Sequence, residues 1–208
     1  MKAVAEILKL SPVIAVLTID SADSAVPLAR ALLAGGLRVL EVTLRTDAGL
    51  PAISAIARGV PEVVVGAGTV LDSEHYKQAC DAGARFIVSP GLTASLLETA
   101  KRSATPLLPG VVTASEIMRG LEGGLSHFKF FPAESSGGAA AVKAFAGPFA
   151  HVRFCPTGGI TPDNAHDYLS LKNVACVGGT WLAPKQLVDN KDWAAITELA
   201  SAAAALGK

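Results

Sequence analysis

The stretch "HFKFFPAES", residues 127–135, sets Lys129 inside an aromatic run that reads as a buried strand. Moving an ammonium into an apolar interior without a partner costs on the order of several kcal/mol, so this lysine either reaches solvent or does chemistry. In a strand, alternate side chains share a face. Lys129 therefore goes with His127 and Phe131, while Phe128 and Phe130 turn the other way. The same alternation in "EVTLRT", residues 41–46, puts Glu41, Thr43 and Arg45 on one face and Val42 and Leu44 on the other. A carboxylate, a hydroxyl, a guanidinium and an amine are parts of imine-forming or proton-transfer chemistry, if the fold aims them at one place. A free lysine, with a pKa of about 10.4, is unprotonated in only roughly one molecule in a few thousand at neutral pH. A nucleophilic lysine therefore calls for an apolar wall and a neighbouring cation, for which Phe131 and Arg45 are the candidates.

Two glycine pairs make a second constellation, in "PTGGITPDN" from Pro156 and "VGGTWLAP" from Val177. Glycine lets a backbone approach an anion closely, and "TPDN" reads as a helix start with Thr161 capping and Pro162 in the first turn. A lone Gly-Gly is usually a tight turn; two at consecutive strand ends point to phosphate. Metal chemistry lacks its ligand spacing, because His75, His127, His151 and His166 are scattered. His127 is placed at the barrel floor. No Gly-x-Ser-x-Gly elbow occurs, and Cys80, Cys155 and Cys176 are odd in number and widely spaced, which argues against a disulfide framework, so buried reduced thiols are expected.

The elements that must position these residues recur evenly. Apolar runs start at residues 13, 39, 63, 86, 106, 127, 153 and 174, separated by 20 to 26 residues, the length of one strand, one helix and two short loops. Between them lie segments with apolar residues three and four apart, such as "SAVPLARALLAGG" and "SEHYKQACDAGA". Three helix ends, in "LLAGGLRVLEV", "ACDAGARFIVS" and "GLEGGLSHFKF", carry a glycine suited to the left-handed cap, then enter the second, fourth and sixth strands. Eight βα units in 208 residues predict an α/β fold, a compact (βα)8 TIM barrel forming one domain over residues 1–208. The competing doubly wound sheet is weakly signalled, since the near-fingerprint "VGAGTVL" has Leu71 at its third glycine position.

Half of the residues are hydrophobic but only 5% are aromatic, so the core is built from Ala, Val, Leu and Ile. Lys plus Arg (18) balances Asp plus Glu (18) without like-charge runs, which disfavours nucleic acid or an anionic membrane as partner and favours a small solute. No charge-free stretch is long and uninterrupted enough to cross a bilayer, and "MKAVAEILKLSP" lacks a secretory apolar core; a cytoplasmic protein is expected.

Together, "EVTLRT", "GAGTVL", "SPG", "KFFPAE", "CPTGGI" and "VGGTWL", in this order along the chain, closely resemble the bacterial 2-keto-3-deoxy-6-phosphogluconate (KDPG) aldolase family, also known for action on 4-hydroxy-2-oxoglutarate (KHG). The resemblance implies a homotrimeric class I aldolase, without metal or cofactor, acting on a phosphorylated keto acid and releasing pyruvate. It implies that Lys129 forms the Schiff base and Glu41 is the general acid/base. It also implies that Arg45 and Thr69 hold the pyruvyl carboxylate, with Pro90 and Phe131 shaping that pocket. Thr157, Gly158, Gly159, Gly178, Gly179 and Thr180 fall at the phosphate end; Thr180 stands where the family carries serine, and both offer a hydroxyl. The residues alone leave two other readings open. A sugar-phosphate isomerase would use Glu41 as base without an imine, and a non-catalytic phosphate-binding barrel would keep the charged trio as a structural network.

Overall fold

The computed structural model describes residues 4–206; residues 1–3 and 207–208, with the ends of the expected domain and the last glycine of "SAAAALG", lie outside them. Eight strands alternate with helices. The strands are β1 (Val13–Leu17), β2 (Val39–Thr43), β3 (Val64–Gly68), β4 (Ile87–Ser89), β5 (Leu107–Val111), β6 (His127–Phe130), β7 (Arg153–Pro156) and β8 (Val177–Gly179). All eight expected strands are present. Each pairs in parallel with its sequence neighbours, and β8 returns to β1 with Val13 opposite Val177. Parallel bridges from Phe154 to Val174 and from Thr157 to Gly178 close the ring between β7 and β8. The (βα)8 barrel is therefore the fold, and the doubly wound alternative is excluded.

The helices are α1 (Val4–Leu8), α2 (Ala25–Ala34), α3 (Gly49–Gly59), α4 (Ser73–Asp81), α5 (Ala94–Arg102), α6 (Ala114–Glu122), α7 (Gly138–Ala144), α8 (Ala165–Leu169), α9 (Lys185–Asp189) and α10 (Trp193–Ala205). Several begin on side-chain caps: Asp72 accepts from the His75 N–H, Thr93 from Leu96, and Thr113 with Glu116 forms a capping box. The three repeated helix ends behave alike. Gly36, Gly83 and Gly124 have φ of 95°, 98° and 82°, and the next N–H bonds back to the last helical turn, Leu37 to Leu32, Ala84 to Ala79 and Leu125 to Gly120.

Apolar packing divides along the strand alternation. Outward residues such as Leu40, Val42, Phe128, Phe130 and Phe154 join the helices in one core. Inward residues Ile14, Val39, Val64, Phe86, Val88, Leu108, Cys155 and Cys176 form a second, and Ile7 and Leu8 of α1 plug it from the amino-terminal end. Cys155 and Cys176 are free buried thiols as expected, while Cys80 is half-buried.

Two local expectations need correction. The second strand ends at Thr43, so Arg45 sits in the following turn and is exposed. At "TPDN", α8 starts only at Ala165, and Thr161 does not cap it with its side chain. The amide of Asn164 braces the loop instead: its Oδ1 accepts from the Thr161 N–H at 2.8 Å and its Nδ2 donates to the Gly159 carbonyl at 3.0 Å. A short polar side chain that reaches backbone on both sides stabilises a turn better than it starts a helix.

Candidate active site

At the carboxyl end of the barrel, Lys129 from β6 and Glu41 from β2 meet across the interior. The lysine Nζ donates to Glu41 Oε1 at 2.9 Å and to Oε2 at 3.3 Å, with 5% and 3% of the two residues exposed. Removing two charges from water is costly unless the geometry is good, and here the contact is bidentate. The backbone makes room for it. An added Cβ at Gly68, the last residue of β3, would overlap Glu41 Oε1 and lie 2.7 Å from its Cγ, so the carboxylate occupies space that only glycine leaves free.

The Phe131 ring centroid lies 5.2 Å from the Lys129 Nζ, within cation–π range, which supplies the expected apolar wall. Arg45 is engaged differently from expectation: its Nε donates to Thr69 Oγ1 at 3.2 Å. The group touching the lysine is thus a carboxylate and not a second cation. Thr69 itself has φ of 59°, rare for a β-branched residue, and such outliers cluster at functional sites. Thr43 is buried, and its hydroxyl is used locally, donating to the Leu17 carbonyl at 3.0 Å and lying 3.1 Å from Thr18 Oγ1.

A cavity of about 240 Å³ opens against these groups, lined by Arg45, Lys129, Phe131, Thr157, Gly158, Gly159, Gly178 and Thr180, with Val16 and Ile160. Cationic Lys129 and Arg45 share it with the glycine loops. Glu41 does not line it but hydrogen-bonds the lysine that does. Thr69, Pro90 and Gly179 are not on its wall. Thr69 touches it through Arg45, the Pro90 carbonyl packs against Gly110, and an added Cβ at Gly179 would strike the Trp181 ring. Gly110 is the register partner of Lys129. Gly178 leaves room for the Thr157 hydroxyl.

His127 lies at the amino-terminal end of β6, half-buried, its Nδ1 3.0 Å from Ser126 Oγ. Burial, with Arg153 and Lys9 nearby, holds its pKa below the usual imidazole value. Among the described residues no three His, Cys, Asp or Glu side chains cluster to hold a metal.

Sequence reasoning missed Val16, Ile160, Gly68 and Gly110. Val16 was available from the alternation in β1, and an in-strand glycine is itself a signal of close backbone approach.

The sequence profile for KDPG and KHG aldolase matches residues 4–199. The chain belongs to this aldolase family. A KHG/KDPG aldolase of Escherichia coli K12 is 54% identical, the match covering 93% of this chain and 91% of that protein. The KDPG aldolase of Legionella pneumophila, solved with pyruvate captured as a covalent carbinolamine, superposes with a TM-score of 0.96 at 46% identity, covering 98% of both chains. The KDPG aldolase of Zymomonas mobilis, solved with 3-phosphoglycerate, gives 0.93 at 51% identity over 97% of this chain and 94% of that one. The aldolase is thus a lyase on a TIM barrel, and among its described residues no helix is long and apolar enough to cross a membrane.

Proposed function

We propose that this aldolase cleaves 2-keto-3-deoxy-6-phosphogluconate to pyruvate and glyceraldehyde 3-phosphate through a Schiff base on Lys129, and cleaves KHG to pyruvate and glyoxylate at the same site. The observation that carries this reading is the buried Lys129–Glu41 contact beside an open cavity, 2.9 Å from amine to carboxylate. A purely structural ion pair would be packed on every side.

Glu41 takes a proton from the Lys129 ammonium, and the free amine attacks the C2 ketone. Glu41 then returns that proton to the carbinolamine hydroxyl, which leaves as water, and an iminium remains. With the iminium as electron sink, Glu41 accepts the C4 hydroxyl proton through a water molecule, and the C3–C4 bond breaks to release the aldehyde. The electron pair enters the enamine, Glu41 protonates its C3, and hydrolysis frees pyruvate. Arg45 offers a planar fork to the keto acid's carboxylate, with Thr69 steadying its Nε. Phe131 packs over the reacting carbon. Gly158, Gly159, Gly178 and Thr180, with Thr157, receive the phosphate end; the peptide groups of the first two turn on positive φ of 100° and 79°. Pro90 and Gly179 support these walls from behind. The assembly we propose is a homotrimer in the cytoplasm, on the family resemblance.

An isomerase reading has no use for the lysine in contact with the base. Borohydride reduction in the presence of pyruvate, followed by peptide mass mapping, separates the two. A reduced pyruvyl adduct on Lys129 is expected; folded protein left unmodified, while a control aldolase is trapped, overturns the proposal.

A further inference from the structure

The loop that carries Gly158 and Gly159 is held from outside the cavity by a residue pair that the reaction does not use. The Ala133 N–H donates to the Thr157 carbonyl at 2.8 Å and the Glu134 N–H to the Gly158 carbonyl at 3.1 Å, which ties the segment after β6 to the loop after β7. The Glu134 side chain then lies across Gly159. An added Cβ there would meet Glu134 Cγ at 2.6 Å and Cβ at 2.7 Å. Beyond that contact the hydroxyl of Tyr168, on α8, donates a hydrogen bond to Glu134 Oε1. Tyr168 is 1% exposed, so its hydroxyl has no solvent partner to fall back on, and a buried hydroxyl without a partner is costly. Glu134 is otherwise an exposed acid beside a loop suited to an anion, and a carboxylate free to swing there would repel it.

We propose that Tyr168 and Glu134 are positioning residues for the anionic end of the substrate: the tyrosine hydroxyl fixes the Glu134 carboxylate toward α8, which presses the Gly158–Gly159 loop into its anion-binding shape and keeps the acid's charge away from the phosphate. The inference rests on the proposed aldolase reading for where the phosphate goes, but its consequence is separate: the pair sets affinity for phosphorylated ligands and leaves imine chemistry on Lys129 alone. Burial and the adjoining Glu134 carboxylate also push the Tyr168 phenol well above its ordinary range, so it stays a donor throughout the working pH range.

The test compares Tyr168→Phe, Glu134→Ala and Glu134→Gln with the wild-type enzyme, all checked for the native melting transition. Titration with 3-phosphoglycerate measures the anionic end without any turnover. Affinity is expected to fall about tenfold in Tyr168→Phe, the equivalent of one hydrogen bond to a charged group. Glu134→Ala should lose as much, whereas Glu134→Gln, which keeps an oxygen to accept from Tyr168 and lacks the charge, should bind at least as well as wild type. In turnover the loss should appear in KM for the phosphorylated keto acid with kcat within about twofold, and kcat/KM for unphosphorylated KHG should not move. Trapping of pyruvate on Lys129 should be unaffected. Equal losses on both substrates, unchanged 3-phosphoglycerate affinity in Tyr168→Phe, or no 3-phosphoglycerate binding by the wild type would each overturn the inference. Failure of pyruvate trapping in the wild type would instead overturn the Schiff-base reading, and the 3-phosphoglycerate titration would still decide this one.

Discussion

Gly68→Ala tests whether the Lys129–Glu41 geometry drives the chemistry, because it disturbs the pair without altering either reactive group. The new Cβ would sit 2.7 Å from Glu41 Cγ and 2.8 Å from its Cδ. Carbon atoms rest at about 3.5–4.0 Å, so the carboxylate must retreat by about 0.8 Å or the strand must move. Moving the carboxylate out of a 2.9 Å contact by that distance takes it past the limit of hydrogen bonding. A displacement near 1 Å at a reacting centre costs about a hundredfold in rate, or ~2.7 kcal/mol in the barrier. Overpacking should also lower stability by about 1–3 kcal/mol. The assay couples pyruvate release to lactate dehydrogenase, with thermal melting and borohydride trapping alongside. We expect kcat to fall about a hundredfold while the folded variant still forms a reducible pyruvyl adduct, more slowly. Gly91→Ala is the matched control, since an added Cβ there meets nothing within 4 Å. A Gly68→Ala enzyme with wild-type kcat and melting would refute the steric reasoning, as would an equal loss in the control.

Other expectations follow from the same contacts. Lys129→Ala should abolish turnover and also destabilise the fold by about 3–5 kcal/mol, because Glu41 is left buried without its partner; adding Glu41→Gln should restore part of the melting temperature, and additive losses would count against this. Thr69→Gly should relieve the left-handed φ of 59° and keep or raise stability, while KM for the keto acid rises as Arg45 loses its partner; an unchanged KM would remove Thr69 from the site. Burial pushes the Tyr76 phenol, which donates to the Thr105 carbonyl at 2.6 Å, from 10.0 up to about 12. A raised folded pKa means stability fully present below pH 10 and lost as pH climbs through 12, so denaturant midpoints should decline over that window and Tyr76→Phe should flatten the decline. Light scattering should return three times the 21.2 kDa chain mass; a monomer would contradict the trimer proposal.

How much of this was legible depended on what each signal physically constrains. Strand alternation fixes which way a side chain points, so Lys129 and Glu41 could be aimed at the barrel centre from their neighbours alone, and they do meet there. It weakens where a strand stops. Extending the alternation two residues beyond Thr43 still brings Arg45 to the cavity wall that Lys129 shares, but the turn hands its Nε to Thr69 and not to the lysine. Helix caps read well where the left-handed conformation excludes other residues, as at Gly36, Gly83 and Gly124. They read poorly at Thr161, because the nearby Asn164 amide braces the loop instead and only the tertiary position of Gly159 decides that. In the sequence Gly68 reads as part of a near-dinucleotide fingerprint. Its meaning, room for the Glu41 carboxylate, exists only once β2 and β3 lie side by side. The pair of Tyr168 and Glu134, 34 residues apart, had no local pattern at all.

The aromatic run around Lys129 has a physical reason that the two apolar clusters make plain. Phe130 packs edge-on against Phe145 and Phe154, with centroids 6.2 Å and 6.3 Å away, and Phe128 lies 6.5 Å from Phe154. Such pairs are worth about 0.5–1.5 kcal/mol each beyond the area they bury. They anchor β6 from its outer face, so the inner face needs no apolar residue to hold the strand in place and is free to carry an amine. Inside, Ile7 and Leu8 seal the amino-terminal end, and the apolar layer stops below Lys129, where β3, β5 and β8 present Gly68, Gly110 and Gly178. The barrel is therefore filled at one end and hollow at the other, and the lysine stands at the boundary. Apolar packing beneath it restrains its stem, the Glu41 carboxylate compensates its charge, and the cavity opens above it. A more conventional strand, with a leucine in place of Lys129, would close the hollow end and leave Glu41 buried without a partner, so the two charged residues make sense only as a pair.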